Sequence, residues 1–210
     1  MAGVVLAGLA STGWGADLSR GPHKIELVDI SDEQRRILDQ TFDQMKALQP
    51  AQLGIDGRLY RRLTRFETLF GKPFNGADLE QWVLARFRKI LYGNIALAAI
   101  NQNQGDLIVS DLFFHDISPL ERLYLLVHEA RHSDDDGYPH VRCPKDFPFV
   151  SAAQPGTALD QALACDATTD GAYAFQAALL FELFAYGLFD QKNVGLIYNS
   201  TVARILRPTK

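Results

Sequence analysis

The chain is short of cysteine, of basic charge and of uninterrupted apolar sequence, and each shortage narrows what it can be. Only two of the 210 residues are cysteine, Cys143 and Cys165, and neither belongs to a C-x-x-C pair. That argues against a thiolate zinc knuckle. The 21 lysines and arginines are outnumbered by 25 aspartates and glutamates, for a net charge of −4. Such a balance gives no reason to expect nucleic acid or an anionic membrane surface as a partner. There is no internal repeat, low-complexity run or long block of like charge. The most apolar stretch, Ala172 to Phe189, is interrupted by Gln176 and Glu182. A carboxylate in mid-span costs about 2.5–3.5 kcal/mol on insertion scales, so a buried core helix is expected there and not a membrane span. The first residues lack a basic group: no lysine or arginine precedes the apolar run Val4 to Ala10, which leads into Ser11-Thr12-Gly13. Residues 1–16 are therefore expected to be a signal-like segment without its basic start, and residues 17–210 a single domain. A secreted or periplasmic location is expected, with a cytoplasmic one as the alternative. In an exported protein Cys143 and Cys165 would form one disulfide; in the cytosol they would be two buried thiols.

What is present is mostly helical pattern. Ser31-Asp32-Glu33-Gln34 has the form of a capping box, and Ile37, Leu38, Phe42, Met45 and Leu48 follow on a helical period, which predicts a helix over 32–48. A weaker helical period runs from Leu59 to Phe70, and another from Ala77 to Tyr92. The apolar runs Ile95–Ile100 and Leu107–Phe114, separated by Asn101-Gln102-Asn103-Gln104-Gly105, predict a strand pair. Ser118-Pro119-Leu120-Glu121 is the strongest helix start in the chain, with Ser at the N-cap, Pro at N1 and Glu at N3. Residues 138–156 form a proline-rich loop long enough to suggest function or tethering. A long helix over 159–189, broken near Gly171, and a last helix over 194–206 complete the layout. The fold class this implies is α+β, mostly helical, with a small sheet.

The helix that begins at Ser118 ends in His128-Glu129-Ala130-Arg131-His132, which is H-E-x-x-H. Positions i and i+4 of a helix differ by about 40° of rotation, so His128 and His132 project from one face, one turn apart. The spacing supplies two imidazole metal ligands and, in Glu129, a carboxylate near enough to act on a metal-bound water. The bland alternative is a pair of histidines placed at a helix C-terminus by the helix dipole. Downstream, Asp166, Asp170 and Tyr173 are spaced i, i+4, i+7 and would share a face of a helix. His140 follows His132 by eight residues, in the loop.

This order resembles the zincin metallopeptidases, in which a strand leads into a buried His-Glu-x-x-His helix and a later helix supplies a third ligand. The resemblance covers residues 95–190 in layout, and only the pentapeptide is a specific match. It implies that His128 and His132 bind Zn2+ and that Glu129 is the general base for hydrolysis of a peptide or amide bond. The metzincin pattern fails, with Asp135 and Tyr138 where Gly and a third His belong. Asp166-x-x-x-Asp170 is similar to the ligand pair of the gluzincins with Asp replacing Glu. Asp170-Gly171-Ala172-Tyr173 is similar to the aspzincin ligand-and-tyrosine pair, without that family's flanking Gly-Thr. On this likeness Asp170 is the preferred third ligand, Tyr173 an oxyanion donor, and Asp166 a support for an imidazole N–H. His140 or Asp166 stands as the alternative third ligand. A Cys143–Cys165 disulfide would tie the loop to the segment bearing Asp166 and bring His140 close to it. The function expected is that of a zinc metallopeptidase acting on a peptide or protein. The alternative is a non-catalytic zinc-binding domain, its metal closed off by His140 and Asp170 together.

Overall fold

The computed structural model describes residues 16–134, 136–151 and 156–206. The signal-like segment thus falls outside the described residues, save that Ala16 opens the first strand. In chain order the elements are β1 (Ala16–Leu18), β2 (Ile25–Val28), α1 (Asp32–Lys46), α2 (Gly57–Leu63), α3 (Phe66–Phe70), α4 (Gly76–Leu84), β3 (Lys89–Tyr92), β4 (Ala99–Gln102) and β5 (Asp106–Val109). There follow a π-helical turn (Leu112–Asp116), α5 (Pro119–Arg131), β6 (Val141–Arg142), β7 (Leu163–Cys165), α6 (Ala172–Ala185) and α7 (Gln191–Ala203). The class is α+β, as the sequence predicts.

The expected capping box at Ser31 closes, and the helix start at Ser118 proves to be one too. Ser31 Oγ accepts from Gln34 N at 3.2 Å while Gln34 Oε1 accepts from Ser31 N at 2.9 Å. Ser118 and Glu121 do the same at 3.3 and 2.7 Å, with Pro119 in the first turn. These bonds satisfy amide groups that a helix N-terminus otherwise leaves open.

The sheet has the order β1-β2-β3-β5-β4, parallel at β2–β3 and β3–β5 and antiparallel at its two outer pairs. The expected hairpin is present as β4–β5, turned by Asn103, Gln104 and Gly105, all at positive φ. Its strands are shorter than the apolar runs that predict them, and Leu112–Asp116 winds into the π-helical turn. The expectation of one helix over 77–92 fails: α4 stops at Leu84, and Lys89–Tyr92 is the central strand β3. Phe87 and Ile90 are fully buried, and a short apolar segment buried from both sides carries no period that separates strand from helix.

The long helix expected over 159–189 is also corrected. Leu163–Cys165 pairs with β6, Asp166 N and O bond the backbone of Arg204 and Leu206, and α6 begins only at Ala172. α6 is the hub of the core, buried along nearly its whole length. Leu179, Leu180 and Leu183 are fully enclosed, and burial of each side chain contributes about 1.5–3 kcal/mol. Glu182 is buried too, where Tyr60 Oη and Thr64 Oγ1 donate to its carboxylate at 2.8 and 2.5 Å. Such partners are what a carboxylate inside a protein core requires. Among the described residues no helix is long and apolar enough to cross a membrane.

α5 packs against α6 on one side and against β4 on the other. Arg122 fixes its approach, donating to the carbonyls of Phe113 and Phe114 at 2.8 and 2.9 Å. At the other end, Asn101 of β4 bonds the C-terminal turn of α5, which lies between the sheet edge and the core helix.

Candidate metal centre

α5 runs through the pentapeptide, with His132 as its C-cap, so His128 and His132 project together. The third imidazole of the cluster is His140, from the loop. His128 Nε2 lies 3.3 Å from His132 Nε2 and 3.1 Å from His140 Nε2. The ligand atoms of all three lie within 4.8 Å of one another. Asp170, the preferred third ligand from the sequence, is not among them. Its side chain is half exposed and faces Arg131 Nη2 at 3.6 Å, and its carbonyl accepts from Arg131 Nε at 2.9 Å. The reason is local: residues 166–171 precede α6, whose N-cap is Gly171, so Asp166, Asp170 and Tyr173 share no helical face.

Asp166 sits behind His140. Its Oδ1 is 3.0 Å from His140 Nδ1, and its Oδ2 accepts from Tyr173 N at 2.7 Å in the first turn of α6. One carboxylate thus orients an imidazole and caps the core helix, where negative charge also meets the helix dipole. Gly171 makes this possible, because a Cβ there would overlap the Asp166 carboxylate. Behind His132, Nδ1 donates to Gly137 O at 3.0 Å, in a turn where Gly137 takes a left-handed φ of 64°.

These contacts fix the tautomers. A carbonyl and a carboxylate only accept, so His132 and His140 each carry their proton on Nδ1 and present a bare lone pair at Nε2. His128 Nε2 faces both, and a single proton there satisfies only one. Burial and the neighbouring imidazoles hold His128 well below its ordinary pKa, and burial likewise lowers His132. Neutral imidazoles are the form that binds metal. Tetrahedral zinc with Zn–N bonds of about 2.0–2.1 Å sets its nitrogens about 3.3 Å apart, which the two shortest separations match. The residues therefore fit a metal ion held by three nitrogens.

Glu129 is buried beside the cluster. Asn101, in β4, donates its N–H to Glu129 Oε2 at 2.8 Å, and its side-chain amide bonds Glu129 O at 2.8 Å and Ser133 Oγ at 2.7 Å. Desolvation raises the Glu129 pKa from 4.5 to about 8, with the Asn101 N–H opposing the shift. Tyr173 stacks over His140 and meets His128 edge-on, with ring centroids 4.8 and 4.5 Å away. Its hydroxyl accepts from Arg204 Nη1 at 2.5 Å, and burial keeps it a protonated phenol. Asn101 and Arg204 have no signal in the motif. Asn101 reads as a turn residue, and Arg204 as one more cation near the end of the chain.

Arg131, the variable residue inside the motif, clamps the turn after α5. It pairs with Asp134 and Asp170, and its guanidinium lies over the rings of Tyr138 and Phe175. Asp134 also pairs with Arg86 at 3.0 Å, and Asp135 lies outside the described residues.

The loop carrying His140 is held by the Cys143–Cys165 disulfide, which joins it to the residue before Asp166. Closing a loop of this length is worth about 3 kcal/mol. Reduction is therefore expected to weaken metal binding by about tenfold or more, measured by competition with a chromophoric chelator with and without a phosphine reductant. Equal affinity in both states would mean that the tether does not hold His140 in place.

The three imidazoles open onto a cavity of about 730 Å³, shared by Glu129, Tyr173 and Arg204. Leu97 and Ile100 beside β4, Leu125 of α5 and Ile197 of α7 supply its apolar wall. No protein-family model, no curated protein and no solved structure matches this chain.

Proposed function

We propose that this protein is an exported zinc metallopeptidase, hydrolysing a peptide or amide bond in the cavity above His128, His132 and His140. The observation that carries this reading is the convergence of three imidazole nitrogens at a cavity floor beside a buried carboxyl. Zinc bound there would polarise a carbonyl and lower the pKa of a water to about 7. Among the described residues no fourth His, Cys, Asp or Glu joins the cluster, which favours an open position over a closed structural site.

The residues divide the remaining work. Glu129, the buried carboxyl beside the cluster, serves as the general acid–base. It takes the proton of the attacking water and delivers it to the leaving amine. The Tyr173 hydroxyl accepts from Arg204 and so has its own proton to donate to a developing oxyanion. Asp166 and the Gly137 carbonyl keep the imidazoles of His140 and His132 aimed. β4 is an edge strand beside the cavity, so an extended peptide can align along it. The disulfide favours an oxidising compartment.

The test is cleavage of a broad peptide library by zinc-loaded protein. Activity is expected to vanish on chelation and return with stoichiometric zinc. If loaded protein leaves every peptide intact, the proposal fails.

A further inference from the structure

Among the described residues Arg204 is a charge without a counter-charge. It lines the cavity, yet is nine-tenths buried. Its guanidinium donates from Nη1 to the Tyr173 hydroxyl, and lies 4.8 Å from the centre of that ring. Among the described residues no carboxylate comes within 4.0 Å of it. Each acid nearby has other contacts. Asp166 is engaged with His140 and the Tyr173 N–H, Glu121 with the Ser118 N–H, and Glu129 with the Asn101 N–H. A guanidinium has five N–H donors arranged to fit a carboxylate in a bidentate fork. Leaving one buried and unneutralised is costly unless something in the cavity completes it.

The geometry points to Arg204 as a substrate-carboxylate site, and so to a substrate with a free carboxylate one residue beyond the bond that is cut. The inference rests on the metallopeptidase reading for the position of that bond. Tyr173 sets the spacing. Its ring touches His128 and His140 on one side, while its hydroxyl meets Arg204. The anion site is thus one tyrosine away from the imidazole cluster, a separation that suits a single amino acid, whose Cα lies about 3.8 Å from the next. Ile197, Ser200, Thr201 and Arg204 follow i, i+3, i+4, i+7 and all line the cavity, so α7 and its C-cap offer one continuous face. On that face the departing residue would have the Arg204 charge for its carboxylate and Ile197 for an apolar side chain. The substrate class is therefore peptides or N-acyl amino acids cut at their C-terminal residue.

The experiment compares N-acyl dipeptides ending in a free carboxylate with the same compounds ending in an amide. Binding is measured calorimetrically on metal-free protein, where there is no ion for the carboxylate to ligate, and cleavage on zinc-loaded protein. Acid is expected to bind about 10- to 100-fold more tightly than amide. In R204M the ratio of acid to amide affinity should collapse to about twofold, and R204K should keep part of it. Equal binding of acid and amide by the unaltered protein overturns the proposal, whether or not R204M folds. Zinc-dependent cleavage of amides and acids alike would then leave the metallopeptidase reading standing without it. Conversely, an Arg204-dependent preference for acid with no cleavage of either would retain the anion site and overturn the peptidase.

Discussion

Replacing His140 by alanine is expected to lower zinc affinity by at least about 100-fold, while Asp170→Asn leaves it within about twofold. Structural zinc sites release about 10–16 kcal/mol over their ligands, so the loss of one imidazole from three exceeds the 2.7 kcal/mol that a factor of 100 requires. Asp170 has no share in that energy, because its carboxylate is half exposed and spent on Arg131. Asp166→Asn belongs between the two, at about 10–100-fold, since it weakens the partner of His140 and not the ligand itself. Competition against a chromophoric chelator measures all three. The reverse order, with Asp170→Asn severe and His140→Ala mild, would reinstate the aspartate as ligand.

Glu129→Gln is expected to cut peptide hydrolysis by about 10²–10⁴-fold with zinc stoichiometry unchanged, the contribution of a positioned general base. Glutamine keeps the shape and an oxygen for the Asn101 N–H, so the site is preserved while the proton carrier is lost. The same substitution is not expected to destabilise the metal-free protein at pH 7. A carboxyl raised from 4.5 to about 8 in the folded state favours folding most when protonated, and that contribution is lost as pH rises from 4.5 through 8. A neutral amide is free of that penalty. Turnover by the glutamine variant at the wild-type rate, with zinc bound, would remove Glu129 from the chemistry.

The parts of this arrangement that could be seen in the sequence are those built by local rules. The Ser118–Glu121 box and the i, i+4 spacing of His128 and His132 both act within a few residues, and both hold. The disulfide and the nearness of His140 to Asp166 follow from one covalent link and were likewise open to expectation. What could not be seen depends on pairing between distant segments. Cys165 and Asp166 look helical until β6 and the C-terminal residues claim their backbone. That pairing delays α6 to Ala172 and strands Asp170 outside the cluster. Asn101 is a hairpin residue whose function exists only because β4 lies along α5. Arg204 becomes notable only because it is buried with no acid paired to it among the described residues.

The double duty of the Asp166 carboxylate carries a consequence for any ion held by His140. The oxygens that steady that imidazole also secure the opening turn of α6, around which the interior is assembled. Ion occupancy and global stability are therefore thermodynamically linked through a single side chain, and whatever tightens the imidazole's grip also raises the unfolding temperature. If the cluster holds an ion, its removal would therefore lower the unfolding temperature of the whole domain and not only empty the site.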